Sequence, residues 1–493
     1  MTIDEIMWII LALPFVAGAA ALFIRSARGA LALVCAAVAA STILAFVAAR
    51  FVFAYGPINA AGNWLYLDAL SAYHLVVLMV VFAMSSLYAW SYFGAEIRDG
   101  HFGRRQARRF AALWLGSLGA MTLVLVSNNL GIIWVGIEAT TLLTAFLICV
   151  HVTPSSLEAM WKYLIMCSVG VAFAFIGTLL VGVSATKLHL GAADALLWTR
   201  LSGNAAALDP ALVKAGFLFL LVGYGTKVGL APLHSWLPDA HSQAPAPVSA
   251  VFSGFLLNTA LYCIMRYLPI VEGAPGGAGW GIGLLLVFGL VSISVAAAFI
   301  VFQHDGKRLL AYHSVEHMGI IALGLGLGGF GTFAGLFHTL NHSLCKALSF
   351  FSMGRLGQMY GTHDMRKMSG TLRVAPVWGL GLFASLLALI GVAPFALFMS
   401  EFQILKAAAD NKSYWAMGLF LLGTGVVFVG ALKHAISMAW GKGEIDPQTQ
   451  SATLVEKVLV FAPLAALLVL GLYMPHGLRH ALVQAAFVLG GGR

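Results

Sequence analysis

Leu284-Leu-Leu-Val-Phe-Gly-Leu-Val-Ser-Ile-Ser-Val-Ala-Ala-Ala-Phe-Ile-Val301 contains no charged residue and no alternation of apolar with polar positions. A run of this kind crosses a bilayer as a helix. About 20 apolar residues at 1.5 Å each cover the hydrocarbon core, and a backbone in lipid must satisfy its own hydrogen bonds. Strands of a membrane barrel would give segments of about ten residues in strict alternation; neither this run nor Leu113 to Val126 does so.

Outward from that stretch the pattern repeats. The chain is 60% hydrophobic and 10% charged, where a soluble domain carries about 25% charged residues. The expected class is therefore all-α, a polytopic membrane protein of about 14 spans at 6-24, 30-53, 66-93, 110-127, 129-150, 157-182, 212-231, 246-268, 280-303, 309-327, 331-353, 375-399, 414-439 and 457-485. The first run follows acidic Asp4 and Glu5 and no small-residue cleavage site follows it, so it is expected to be a retained span.

Basic residues set the orientation. Loops after odd-numbered spans hold Arg25, Arg28, Arg98, Arg104, Arg105, Arg108, Arg109, Lys307, Arg308, Arg355, Arg366, Lys367, Arg373, Lys442 and Lys457. Loops after even-numbered spans hold mainly Lys187, Arg200, Lys406 and Lys412. This bias predicts odd loops in the cytoplasm, with both termini and the Lys187 to Pro210 segment on the outer, periplasmic side of the inner (plasma) membrane. The net charge of +9 is explained by the same bias, so no nucleic-acid partner is expected. Cys35, Cys149, Cys167, Cys263 and Cys345 are scattered through apolar runs without paired spacing, which gives no zinc or iron–sulfur ligand set. No cofactor and no metal are expected in this chain.

Gly229-Leu-Ala-Pro232 recurs as Gly391-Val-Ala-Pro394, each beside an ionisable residue, Lys227 before the first and Glu401 after the second. Proline removes a backbone donor and clashes with the preceding turn, so spans seven and twelve are expected to be broken near mid-membrane. Spans four to eight and nine to thirteen then form two five-helix units, an inverted repeat of the transporter kind. The corresponding divisions are 1-109, 110-268, 269-440 and 441-493.

A charge at the bilayer centre costs about 2.5 kcal/mol or more, so ionisable residues within spans are functional candidates. Glu138 is about 12 Å into span five at 1.5 Å per residue, and Lys227 lies between glycines in Gly223-Tyr-Gly-Thr-Lys-Val-Gly229. They suggest a Glu–Lys pair, against which stands a purely structural ion pair. His338, His342 and Lys346 recur every four residues on one side of span eleven. Histidine changes charge near neutral pH, so this ladder suggests a proton relay. Glu401 closes the series. His313, Glu316 and His317 lie towards the cytoplasmic end of span ten, where functional and interfacial roles compete. His234, Asp239 and His241, in the proline-rich segment after span seven, are expected near the cytoplasmic surface, at a channel mouth.

At these residues the sequence resembles the antiporter-like membrane subunits shared by respiratory complex I, Mrp-type cation/proton antiporters and membrane-bound group 4 hydrogenases. Gly223-Tyr-Gly-Thr-Lys-Val-Gly-Leu-Ala-Pro-Leu-His-Ser-Trp-Leu-Pro-Asp-Ala-His241 carries the broad resemblance. Ser127-Asn-Asn-Leu-Gly-Ile-Ile-Trp-Val-Gly-Ile-Glu-Ala-Thr-Thr-Leu142, Ser155-Ser-Leu-Glu-Ala-Met-Trp-Lys-Tyr163 and Cys167-Ser-Val-Gly-Val-Ala-Phe173 look most like the hydrogenase-4 component F branch. The resemblance implies fourteen helices, discontinuous helices seven and twelve, and a central hydrophilic axis. It implies Glu138 and Lys227 as the charge pair, Lys346 with His338 and His342 as the middle relay, Glu401 as the terminal group, and Lys162 as a modulator of Lys227. Asn258 stands where relatives often have a lysine or histidine; it cannot hold a mobile proton, so transfer from Lys227 to Lys346 would rely on water. The implied partners are other membrane subunits and a peripheral hydrogenase or oxidoreductase arm, the moving ion H⁺ or Na⁺. Redox-driven proton translocation, secondary cation/proton antiport and a structural membrane anchor are the three functional expectations.

Overall fold

The structure is a computed structural model that describes residues 2–189, 191, 194–441 and 451–490. Lys442 and the side chain of Lys187, both counted among the loop charges, lie outside the described residues.

Helix α1 (Ile3–Ala21) starts in a Thr2/Glu5 capping box, and α2 (Ala27–Tyr55) is capped by Ser26. Between α2 and α3 (Ala69–Arg98) the chain forms a small antiparallel hairpin, β1 (Ile58–Ala60) with β2 (Leu65–Leu67). Span three therefore begins at 69, and the all-α description needs this one amendment. The hairpin is anchored by Asn128, which donates to the Asn63 carbonyl (2.8 Å) and whose backbone N–H reaches that of Trp64 (2.9 Å). Next come α4 (Arg104–Val126), α5 (Leu130–Ile148) capped by Asn129, α6 (Pro154–Ser184) capped by Thr153, and the short α7 (Trp198–Gly203).

The two Gly-x-Ala-Pro elements do interrupt their helices. α8 (Pro210–Val228) ends at Gly229 with φ 78°, and helix resumes at α9 (Leu237–Gln243). Likewise α16 (Pro376–Leu389) gives way at Gly391, φ 71°, and α17 (Ala396–Asp410) follows. Ala231–Pro232 and Ala393–Pro394 are both cis. The second half reaches Asp410, so Lys406, counted as a loop residue, is helical. From Ala246 to Gly273 runs a single segment, α10 (Ala246–Val251) and α11 (Leu257–Gly273) joined by a π-helical turn at Phe252–Leu256.

α12 (Trp280–Ile300), α13 (Gly306–Leu327), α14 (Gly329–Tyr360), the single turn α15 (Thr371–Val374) and α18 (Tyr414–Trp440) complete the second half. Span fourteen, expected as one helix over 457-485, is two: α19 (Leu454–Leu472) and α20 (His476–Val488). Pro475 is the cause, since the residue before a proline is pushed out of the helical region and Tyr473 is already extended at φ −148°.

Eleven of these helical segments are long and apolar enough to cross a membrane: α1 to α6, α8, α10–α11, α12, α18 and α19. α13 and α14 have the length but are too polar, and they are the ones buried inside the bundle with α10–α11, whose apolar window is completely enclosed. α1, α2, α6, α12, α18 and α19 turn most of their surface outward. His313, Glu316, His317, His338, His342 and Lys346 thus sit on helices enclosed by their neighbours, where polar groups of a membrane protein are kept from hydrocarbon.

Candidate functional site: a buried line of lysine and histidine side chains

Lys227 is in the last turn of α8 and fully buried. Its Nζ donates to Thr141 Oγ1 on α5 (2.8 Å) and to the Tyr163 hydroxyl on α6 (2.5 Å), and it lies 4.6 Å from the centre of the Tyr163 ring. Glu138, one turn before Thr141, is half-buried; one carboxylate oxygen accepts from Ser168 (2.9 Å) and the other has no protein partner. The expected Glu138–Lys227 contact ion pair is therefore absent: hydroxyls of Thr141 and Tyr163 hold the ammonium, and the carboxylate is bonded to Ser168. Lys162 does not approach Lys227 either. It pairs with Glu158 (2.6 Å) and Asp239 (3.1 Å), and Asp239 also takes a bond from Arg308, forming an exposed ionic cluster.

The break after Gly229 is well satisfied. Trp236 Nε1 donates to the Thr226 carbonyl (2.8 Å), which also accepts from the Gly229 N–H (3.2 Å), and the Ala231 N–H reaches Ser292 Oγ (2.9 Å). His234 is partly buried between the rings of Phe299 and Tyr312. His241 departs from its expected position at the surface: it is fully enclosed, stacked on Phe350 at 5.2 Å, and neither ring nitrogen has a protein partner. Lys307, counted as a loop charge, is also buried. Its Nζ binds the Ser242 (2.9 Å) and Ala244 (2.5 Å) carbonyls at the C-terminal end of α9, where a cation complements the helix dipole and fixes the turn carrying His241.

Ring contacts link the two lysines through this histidine. Tyr163, under Lys227, meets Phe252 of the π-turn (5.9 Å); Phe252 meets His241 (6.1 Å); and Phe350, on His241's other side, lies 5.5 Å from Lys346 Nζ. Asn258 on α11 donates to the Gly254 carbonyl (3.0 Å) and to Oγ of Ser343 (3.2 Å), the residue after His342 on α14, so it belongs to the same interior.

His338, His342 and Lys346 are all fully buried, as the fourfold spacing predicts for one inward side. Lys346 donates to the Leu310 carbonyl. His317 Nδ1 faces His338 Nε2 at 2.9 Å, and its ring is 5.4 Å from that of His342. His338 Nδ1 bonds Ser400 Oγ (2.8 Å). Glu401, on the same turn, brings a carboxylate oxygen within 4.8 Å of ring nitrogens of His317 and His338. His313 Nδ1 bonds Glu316 Oε2 (3.0 Å). His313, Glu316 and His317 are all buried inside the bundle.

A fully buried charged pair escaped sequence reasoning. Arg266 on α11 makes two bonds to Asp68 (2.6 and 2.8 Å), one to Tyr262 (2.7 Å) and another to Ser71, and stacks 4.5 Å from Trp198. His74 lies near it, bonded to the Leu70 carbonyl. The available signal was an arginine inside span eight, close enough to its end to pass for an interfacial residue.

A bundle of apolar helices wrapped around broken helices and an internal line of lysine, histidine and glutamate defines an antiporter-like membrane subunit. The chain belongs to the NADH:quinone oxidoreductase/Mrp antiporter transmembrane family, whose model matches residues 127–427. It is 42% identical over 348 residues to the hydrogenase-4 component F homolog of Methylacidiphilum infernorum, covering 70% of this chain and 73% of that protein. To hydrogenase-4 component B of Escherichia coli it is 30% identical over 384 residues, 74% of this chain and 54% of the longer relative. Its fold matches a chain of the archaeal membrane-bound sulfane sulfur reductase (TM-score 0.87, 24% identity, 98% of each chain). It also matches one of the Mrp complex of Dietzia sp. DQ12-45-1b (TM-score 0.86, 20% identity, 100% of this chain and 98% of the other).

Proposed function

We propose that this chain is the proton-translocating membrane subunit of a redox-driven complex of the membrane-bound hydrogenase or NADH:quinone oxidoreductase type. The observation that supports this most is the buried sequence Lys227, His241, Lys346, His342, His317, His338 and Glu401, with Glu138 at its outer flank. Buried polar atoms are hydrogen-bonded as a rule. Unpaired nitrogens on His241 and His342, and the unpaired Asn258 Oδ1, are thus groups that water would serve in the working protein. On this reading Asn258 orders water and His241 is the titratable station between the lysines. A change at Glu138 alters the field at Lys227 through the hydroxyls of Thr141 and Tyr163, and the proton moves on towards Lys346 and Glu401.

The reading includes fourteen membrane passes, counting α13, α14 and the broken α8/α9 and α16/α17 as one each. Helices α4 to α11 and α12 to α18 form the two inverted units, with both termini on the outer face of the inner membrane. Redox centres belong to partner subunits: the hydrogenase-4 relatives suggest a hydrogenase-type arm. Cation/proton antiport without redox input is the alternative that the fold likeness to the Mrp complex favours. The test is proton uptake by proteoliposomes holding the intact complex, driven by its redox substrate. Lys346→Ala should lower uptake more than about tenfold per assembled complex, a transition-state change of about 1.4 kcal/mol or more. Undiminished uptake would refute the proposal, and uptake driven equally by a Na⁺ gradient without redox substrate would establish the antiporter.

A further inference from the structure

We propose that His317, His338 and Glu401 form a Zn²⁺ site whose occupation blocks the buried line of side chains. The three residues come from α13, α14 and α17, are all buried, and bring one ligating atom each within 4.8 Å of the others. The two histidines already turn a nitrogen towards each other at 2.9 Å. With Zn–N bonds of about 2.0–2.1 Å in a tetrahedral arrangement, those nitrogens need to part by about half an ångström and the rings to turn so that both lone pairs converge on the ion, which takes the place of the proton they share.

Two further features suit a metal. A ligating histidine normally has its other nitrogen held by a second polar group, and His338 Nδ1 is bonded to Ser400 Oγ at 2.8 Å. The Glu401 carboxylate is packed against Gly391, where a Cβ would come within 2.4 Å of Oε2, so the broken helix itself leaves room for it. Two imidazoles and one carboxylate with the fourth position open to water is a ligand set that Zn²⁺ accepts. Oxygen-seeking Mg²⁺ and Ca²⁺ are disfavoured by the two nitrogens. His313 and Glu316 offer a second grouping with His317, but all three lie on α13, whereas the cross-helix set ties three helices together.

Binding requires neutral histidines and an ionised glutamate, the forms that cannot be traded for protons while the metal stays. The inhibitory consequence rests on the proton reading above; the metal site does not.

The experiment loads the purified intact complex with Zn²⁺ in a metal buffer, then measures retained zinc and its X-ray absorption spectrum. One zinc per chain with two imidazoles, oxygen donors and no sulfur is expected. His317→Gln and Glu401→Gln should each weaken retention more than about tenfold, and Ser400→Ala, which leaves all three ligands in place, by about tenfold. Ser400→Ala keeps the test open if a ligand variant fails to assemble. Unchanged zinc affinity across these variants, or a sulfur-containing shell, would overturn the site. In parallel, redox-driven proton uptake should fall as zinc occupancy rises; zinc bound in the expected shell with uptake unaffected would overturn the inhibition and count against proton flow through this cluster.

Discussion

Thr141 and Tyr163 do for the Lys227 ammonium what a carboxylate was expected to do, and this changes what single substitutions should reveal. Hydrogen bonds to a charged group contribute about 1.5–3 kcal/mol each. Tyr163→Phe takes one from a fully buried ammonium and should lower the stability of the assembled complex by that amount, together with its proton uptake. Glu138→Gln should leave stability within about 0.5 kcal/mol, because the half-buried carboxylate makes no ion pair, while still lowering uptake through the lost field. Thermal unfolding in detergent or nanodiscs, followed beside uptake, distinguishes the two. A loss of about 3–5 kcal/mol in Glu138→Gln would instead restore the direct pair. The residues themselves were legible as unusual charges within apolar runs; their partners were not. Nothing in the local sequence connects Lys227 with Tyr163, 64 residues away, or Arg266 with Asp68, 198 residues away, because such contacts depend on which helices pack together.

Among elements, the broken helices were the most legible, since glycine, alanine and proline in one short string leave a helix few ways to continue. The same logic applied to Pro475, yet the apolar residues around it concealed a second helix. The hairpin at 58–67 was hidden by its brevity: three-residue strands carry too little alternation to read. His241 was misread for a related reason, a proline-rich string resembling a surface loop although it is folded into the interior after the break. Gly391 offers the sharpest test of what a break does. At φ 71° and with Glu401 Oε2 only 2.4 Å from where a Cβ would be, Gly391→Ala should displace the carboxylate and reduce proton uptake severalfold. Gly418→Ala, on α18 with nothing within 4 Å, should behave as wild type and serves as the control. Equal uptake in both variants would show that the position of Glu401 does not matter.

For the whole molecule, the inside-positive bias predicts that single cysteines at Gly100 and Gly361 are labelled only from the cytoplasm and one at Gly203 only from outside; the reverse pattern would invert the chain. All three glycines have open surroundings, so the labels meet no neighbour, although Gly100 (φ 76°) and Gly361 (φ 66°) take a side chain only with local backbone adjustment. Within the bundle the fit is far closer at two helix pairs, one in each half. A Cβ on Gly223 of α8 would come within 2.4 Å of the Ala174 nitrogen on α6, and one on Gly177 within 2.6 Å of the Gly216 carbonyl oxygen. On α12 and α13 the corresponding approaches are 2.6 Å from Gly289 to Leu323 and 2.4 Å from Gly326 to Leu286. Backbones this close leave neither helix room to roll or slide on its neighbour, so each pair is a stiff beam. Each half thus combines one such beam with one closely packed interruption of helical hydrogen bonding, at Gly229 beside Lys227 and at Gly391 against Glu401.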